Sequence, residues 1–178
     1  MAQQPIEFDS RGDGTMGAFP ERPKPIEVRK LLLSEVLTKA HKAKTKGDKV
    51  RILREEDCSA LRQICEWSYD RKIESELPSG TPPFVPNEAP EGTEHMLLRT
   101  EGDKLWHFIK DADPNLQSTV RERMFIRLLE GLHKDEAELL ILCKDKKLGA
   151  DKIGYKGLSA PVCQEAFNWD EDFRKKDV

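Results

Sequence analysis

The residues that could perform chemistry are few, and their spacing matches no catalytic or metal-binding motif that we recognise. The sequence has four cysteines and four histidines: Cys58, Cys65, Cys143 and Cys163, and His41, His95, His107 and His133. No two cysteines have CxxC spacing, and the histidines are not spaced as ligands on one helix face. We therefore expect the cysteines to be buried, reduced thiols, and we expect no metal site.

Acidic residues form two short runs that resemble paired catalytic carboxylates. The runs lie at residues 55–57 and 170–172. Adjacent residues of a helix point in different directions, so helix capping and solvation explain these runs better than acid–base catalysis. The sequence therefore predicts a non-enzymatic protein, with no catalytic residue and no cofactor.

Two basic stretches are the main candidates for binding a partner. Residues 29–54 contain nine basic and two acidic residues, and residues 144–156 contain five lysines and two aspartates. Such stretches can contact nucleic-acid phosphates or an acidic protein surface, and both possibilities stay open. Tyr155 could in addition stack on a base. The basic candidates for partner binding are Lys42, Lys44, Lys46, Lys144, Lys146, Lys147 and Lys156.

A proline-rich segment, "LPSGTPPFVPN" at residues 77–87, interrupts the helical part of the chain. Proline restricts itself and the residue before it to extended conformations, so residues 76–92 are predicted to form an extended strap. The strap could brace the helical core, pinned by Phe84 and Val85, or it could be offered to a partner groove. A buried Phe84 favours the brace, and an exposed Phe84 favours the partner contact.

Apolar residues at three- and four-residue spacing predict the helices that position these candidates. The first helix is expected to begin after Pro25 and to stop at Gly47, and Asp48 is expected to cap the second. Asp57 or Ser59 would cap the third helix. Residues 93–110 predict one helix or two half-helices interrupted at Gly102.

The clearest helical pattern follows residue 115. Two helices joined by a few residues are predicted from "LQSTVRERMFIRLLEGL" and "EAELLILCKDKKL", with Arg121 outside the apolar stripe of the first. Ser159 and Pro161 mark the start of a last helix. Its expected core residues are Val162, Cys163, Ala166, Phe167 and Trp169.

The composition indicates the fold class and the domain organisation. The 178 residues are 37% hydrophobic and 35% charged, with a net charge of −3, which suits a small helical core with a solvated surface. We predict an all-α protein: a small irregular domain of about six or seven helices at residues 25–169, preceded by a flexible arm at residues 1–24. Residues 170–178 are expected to be a charged, frayed tail. The sequence has neither a bilayer-length apolar run nor a secretory signal, so no membrane contact is expected.

Three segments in this order resemble a family of small proteins of T4-like tailed bacteriophages, including phages of cyanobacteria. They are the proline-rich segment, "RERMFIRLLEGLHKDEAELLILCKDKKL" and "KGLSAPVCQEAFNW". The resemblance covers residues 30–169 and is most specific at residues 77–84 and in the helical pair that ends with residues 144–148. This chain departs from it by extra residues around "GADKIG" and by Ala160-Pro161 where the family usually has lysines.

The resemblance implies a phage gene product in the cytoplasm of an infected bacterium or in the virion, and it implies no catalytic residue. Two hypotheses follow. The first is a structural or interaction protein that binds a phage or host protein, with the virion as one location. The second is a nucleic-acid-binding accessory protein of phage replication or transcription that acts through the basic stretches. Self-association stays open, because the segment at residues 93–110 could close a dimer.

Overall fold

The structure is a computed structural model that describes residues 30–90, 96–150 and 154–176. The predicted flexible arm at residues 1–24 lies outside these ranges. The elements are α1 (Leu33–Lys42), α2 (Lys46–Glu55), α3 (Ser59–Tyr69), α4 (Leu98–Glu101), a 3₁₀ helix (Gly102–Phe108), α5 (Ser118–Gly131), α6 (Lys134–Lys144) and α7 (Ala160–Phe167). The described ranges contain isolated β-bridges and no strand, so the predicted all-α class is confirmed. None of the described helices is long and apolar enough to cross a bilayer.

Helix α3 is the centre of the core. It contacts α4, the 3₁₀ helix, α6 and α7. Trp67 of α3 stacks on Phe108 of the 3₁₀ helix at 6.5 Å between ring centroids, and Phe108 meets Phe125 of α5 edge-on at 5.1 Å. Aromatic pairs in these arrangements add to the stability that burial alone provides. The three rings therefore connect three elements that are distant in sequence.

The predicted boundaries of the first three helices were partly wrong. Helix α1 ends at Lys42, and Gly47 lies inside α2 instead of stopping the first helix. The residue that caps α2 is Thr45, whose hydroxyl accepts the backbone N–H of Asp48 at 3.1 Å. Asp57 pairs with Arg62, and the residue before α3 is Cys58. Threonine is, like aspartate, a preferred N-cap residue, because its side-chain oxygen accepts an N–H of the first turn.

The predicted interruption at Gly102 is confirmed as the junction of α4 and the 3₁₀ helix. Gly102 packs against α3 so closely that a Cβ atom at this position would lie 2.6 Å from Cβ of Ala60. The glycine is therefore required for close approach of two elements, a common reason for glycine inside a helical segment.

Helices α5 and α6 form the predicted pair and bury Phe125, Leu128 and Leu140. The prediction that Arg121 lies outside the buried stripe was wrong, since its residue is 5% exposed. Its guanidinium donates to the backbone carbonyls of His107 and Asp113, each at 2.8 Å. Arginine can be buried here because these carbonyl groups satisfy its donors.

The start of α7 and its buried residues agree with the prediction, but the expected fraying of the tail does not hold through residue 176. Asp170 accepts the backbone N–H groups of Asp172 and Arg174 at 2.8 and 2.9 Å. This turn returns Phe173 to the core, where its ring lies 5.7 Å from that of Trp169. The turn depends on Asp170, one of the acidic residues whose predicted roles were helix capping and solvation.

One buried carboxylate, that of Glu136 in α6, joins the starts of two other helices. It accepts the N–H of Leu33, the first residue of α1, at 2.9 Å, and the N–H of Leu98, the first residue of α4, at 3.0 Å. Carboxylates are favourable near helix N-termini, where N–H groups lack intrahelical partners. The contact also sets the start of α1 beside the start of α6.

Candidate functional site

A groove with a volume of about 570 Å³ lies between α1 and α6. We call it the α1–α6 groove. Its lining residues come from α1, from α6 and from the segment that precedes α7: Ser34, Glu35, Thr38, Lys39, His41, Lys42, Asp135, Glu138, Leu139, Leu142, Gly154 and Tyr155. The nine helical residues from Ser34 to Lys42 give the groove a length of about 12 Å.

Tyr155 is half-buried in this groove and is held by α1. Its hydroxyl is hydrogen-bonded to Thr38, and its ring meets that of His41 edge-on at 6.4 Å. Burial raises the pKa of Tyr155 to about 12, although the hydrogen bond to Thr38 opposes this effect. His41 is fixed in turn, because its Nδ1 accepts the backbone N–H of Gly157 at 2.7 Å. The ring therefore belongs to the groove surface and does not project from the molecule to stack on a base.

The charges of the groove differ between its two ends. Asp135 and Glu138 lie in the first two turns of α6, beside the start of α1, and both are exposed. Lys39 and Lys42 lie in the last turn of α1, and both are also exposed. The groove thus has an acidic end at the helix starts and a basic end at the end of α1, and the half-buried Leu142 and Tyr155 add apolar surface.

A buried hydroxyl without a partner lies in the wall of the acidic end. Oγ of Ser34 is inaccessible to solvent, and no described protein atom forms a hydrogen bond with it. Burying a polar group without a partner costs free energy, so such atoms are uncommon in folded proteins. The Ser34 hydroxyl is thus a buried polar group without a hydrogen-bond partner among the described residues.

The lysines of the first basic stretch that were predicted as partner contacts have different surroundings in the structure. Lys42 and Lys44 are exposed, and Lys42 lines the α1–α6 groove. Lys46 is paired with Glu165 of α7, with 2.5 Å between Nζ and Oε2. Nearby, Lys49 donates to the carbonyl of Gly157 and Arg54 donates to those of Glu165 and Ala166. Much of this stretch therefore attaches α2 to the region of α7.

Lys144, predicted as a partner contact, is instead a structural residue. It is 4% exposed, and its ammonium donates to the carbonyl of Pro78 at 2.7 Å and to Asp145. The carboxylate of Asp145 accepts the backbone N–H of Gly80 at 3.1 Å. Burial favours a higher pKa for Asp145, but Lys144 and the Gly80 N–H hold this pKa below its ordinary value. The pair fixes the proline strap to the end of α6, so Lys144 is not available to a partner.

The other lysines of the second stretch differ in their surroundings. Lys146 donates to the carbonyls of Trp67 and Asp70 at the end of α3, and burial lowers its pKa. Lys147 and Lys156 are exposed, and Nζ of Lys147 lies 3.5 Å from Asp145. Lys146 thus caps a helix end, a favourable place for a positive charge. Of the nine residues predicted as partner contacts, Lys42 and Tyr155 meet in the α1–α6 groove.

The proline strap lies over α5 and α6. Phe84 is half-buried and packs against the core, which supports the brace, whereas Val85 is 74% exposed and does not pin the strap as predicted. The backbone N–H of Val85 donates to Glu130 at 3.2 Å. A smaller cavity of about 290 Å³ lies under the strap, between Pro78, Phe125 and Lys144.

The cysteines contribute to the core. Cys65, Cys143 and Cys163 are buried, Cys58 is half-buried, and all four are free thiols. Burial raises the pKa of Cys143 to about 12, and the hydrogen bond that the Cys65 thiol makes to Cys163, together with burial, raises the pKa of Cys65. Within the described ranges, no cluster of histidine, cysteine and acidic residues has the arrangement of a metal site.

Sequence reasoning missed most of the groove. Thr38, His41, Asp135 and Glu138 were not predicted as site residues, because the pairing of α1 with α6 joins residues about one hundred positions apart. One signal was present, since Asp135 and Glu138 are three residues apart and therefore share a helix face. What the sequence did not show is which helix faces them.

The fold and the groove define a small all-α protein with a strapped helical core and a surface groove of mixed charge. A family model matches residues 36–150, which is more than half of the chain. The chain therefore belongs to DUF6433, a family of unknown function. No curated protein and no solved structure matches the chain. The match includes Thr38, Lys42, Asp135 and Glu138 of the groove, while Tyr155 lies beyond it.

Proposed function

We propose that this protein is a non-enzymatic interaction protein that binds another protein through the α1–α6 groove. The observation that supports this most strongly is the combination of opposite charges and apolar surface in one groove. Such a surface complements a protein segment that carries both charges. Charges of this kind provide specificity and correct orientation more than they provide affinity.

The biological setting that we propose comes from the sequence resemblance to proteins of T4-like bacteriophages. In this setting the chain is a phage gene product in the cytoplasm of an infected bacterium, and its partner is a phage or host protein. Incorporation into the virion belongs to the same proposal. Detection of the chain at stoichiometric levels in purified particles would test that location.

The alternative is a nucleic-acid-binding accessory protein. Two observations make it the weaker proposal: Lys144 and Lys146 donate to carbonyl groups of the chain itself, and Asp135 and Glu138 would face the phosphates of a strand lying in the groove. Nucleic-acid binding through phosphates weakens steeply with salt. A strong salt dependence of DNA or RNA affinity would therefore favour the alternative.

Affinity capture from the cells that naturally make the chain tests the proposal. The baits are the wild type, Lys39→Glu/Lys42→Glu in the groove, and Arg123→Glu/Arg127→Glu on α5 as a control with the same change in charge. We expect a protein partner that survives nuclease treatment, is retained by the α5 variant and is lost by the groove variant. Equal retention by both variants, or capture that nuclease abolishes, would contradict the proposal.

A further inference from the structure

The geometry points to the kind of segment that the α1–α6 groove binds: an amphipathic helix of the partner that lies antiparallel to α1 and α6. Its first turn would be acidic and its last turn basic. This inference rests on the proposed function and adds to it the form, the charge pattern and the direction of the bound segment.

The first step is the direction of the two helices that form the groove. The N–H of Leu33 reaches Glu136, so the starts of α1 and α6 lie together. At the other end, the N–H of Tyr155 donates to the carbonyl of Leu148, just beyond the end of α6, at 2.6 Å, and the ring of Tyr155 meets that of His41 in the last turn of α1. The helices therefore run in the same direction, and their dipoles are parallel. A third helix in the opposite direction would place its own dipole favourably against both.

The second step is the charge pattern. The acidic end, with Asp135 and Glu138, would face the basic last turn of an antiparallel helix, and the basic end, with Lys39 and Lys42, would face its acidic first turn. Helices commonly carry acidic residues in the first turn and basic residues in the last. An ordinary helix bound in the parallel direction would place like charges together at both ends.

The third step is the shape of the groove. Its length of about 12 Å corresponds to a little over two helical turns. Leu142 and Tyr155 are half-buried, so they can receive apolar side chains spaced three and four residues apart on a bound helix. A second copy of this chain would present the same concave surface if it bound face to face, so a convex helix fits the groove better.

Two synthetic helical peptides of identical composition test the inference. Both carry the same apolar face and a side-chain staple that keeps them helical. The forward peptide has an acidic first turn and a basic last turn, and the reverse peptide has these charges exchanged. Fluorescence anisotropy would measure their binding to the wild type and to the variant Lys39→Glu/Lys42→Glu/Asp135→Lys/Glu138→Lys, whose net charge is unchanged. Circular dichroism would confirm that the variant folds.

The wild type should bind the forward peptide about tenfold more tightly than the reverse peptide, since several exposed charge pairs change sign together. The charge-exchanged variant should prefer the reverse peptide. Four results would overturn the inference. Neither peptide binds, both bind equally, the variant does not reverse the preference, or a DNA oligonucleotide displaces the forward peptide. If affinity capture still depended on Lys39 and Lys42, the proposed function would stand while this form of partner would be wrong.

Discussion

At the scale of single residues, Glu136 shows how one buried acid organises distant parts of the chain. Its two carboxylate oxygens accept the first N–H groups of α1 and α4, so the relative position of three helices depends on one side chain. Because the groove lies between α1 and α6, the same contact also positions the candidate site.

Replacement of Glu136 by alanine should lower the free energy of unfolding by about 3 kcal/mol, because two buried N–H groups lose a charged acceptor. Glu136→Gln should lose less, since its amide keeps one oxygen acceptor. Urea denaturation would measure both variants. Glu138→Ala, an exposed position of the same helix, is the control and should change stability by less than about 0.5 kcal/mol. If Glu136→Ala were as mild as this control, the organising role of Glu136 would be wrong.

Two glycines should respond in opposite directions to replacement by alanine. At Gly102 the new Cβ would lie 2.6 Å from Ala60, and we expect a loss of about 2 kcal/mol from overpacking. At Gly47, in the first turn of α2, the nearest atom would be 3.9 Å away, and alanine should stabilise the helix by about 0.5 kcal/mol. Thermal unfolding of the two variants beside the wild type would measure both effects. A stabilising Gly102→Ala would show that the contact with α3 is not tight.

The roles of individual polar residues were the part of the structure that the sequence predicted least well. Arg121 and Lys144 are of residue types that usually lie on the surface. They are buried because backbone carbonyls of other segments accept their hydrogen bonds. No local pattern specifies such carbonyls. The cap of α2 was predicted more closely. Asp48 was the expected cap, and the observed cap, Thr45, lies three residues before it.

At the scale of elements, the proline strap is the segment whose role the structure defines best. Lys144 and Asp145 hold its first part, Phe84 packs on the core, and Glu130 accepts the N–H of Val85. The strap thus links the ends of α5 and α6 by polar contacts and by one aromatic ring, as expected for a brace.

Phe84→Ala should lower the free energy of unfolding by about 2 kcal/mol, somewhat less than for a fully buried phenylalanine. The adjacent Val85→Ala is a matched control, and its exposed side chain predicts a change below about 0.5 kcal/mol. Limited proteolysis should cut the strap faster in the Phe84 variant alone. Equal stability of the two variants would mean that the strap does not brace the core.

Helices with a strong apolar period were predictable as elements. The apolar buried residues of α6 and α7 follow directly from their spacing, whereas the buried face of α5 was predicted only in part, since it includes Arg121. The ordered turn after α7 was not predicted, because Asp170 accepts the backbone N–H groups of Asp172 and Arg174 and thereby places the ring of Phe173 on that of Trp169. Local pattern identified which segments are helical, and long-range contacts determined where the charged segments between them lie.

At the scale of the whole molecule, the all-α fold class followed from composition and periodicity. The α1–α6 groove did not, because it is formed by the pairing of two helices about one hundred residues apart. The groove combines residues from the first basic stretch with acids that the sequence analysis did not single out. Its mixed charge is the reason to propose a protein partner in preference to nucleic acid.

Site-specific photocrosslinking tests the central claim, that the α1–α6 groove binds a protein. A benzophenone amino acid would replace Lys39 in the groove or, as a control, Arg123 on α5, in the cells that naturally make the chain. We predict a discrete, nuclease-resistant crosslink to one protein from position 39 and none from position 123. A crosslink to nucleic acid, or the same products from both positions, would contradict the claim.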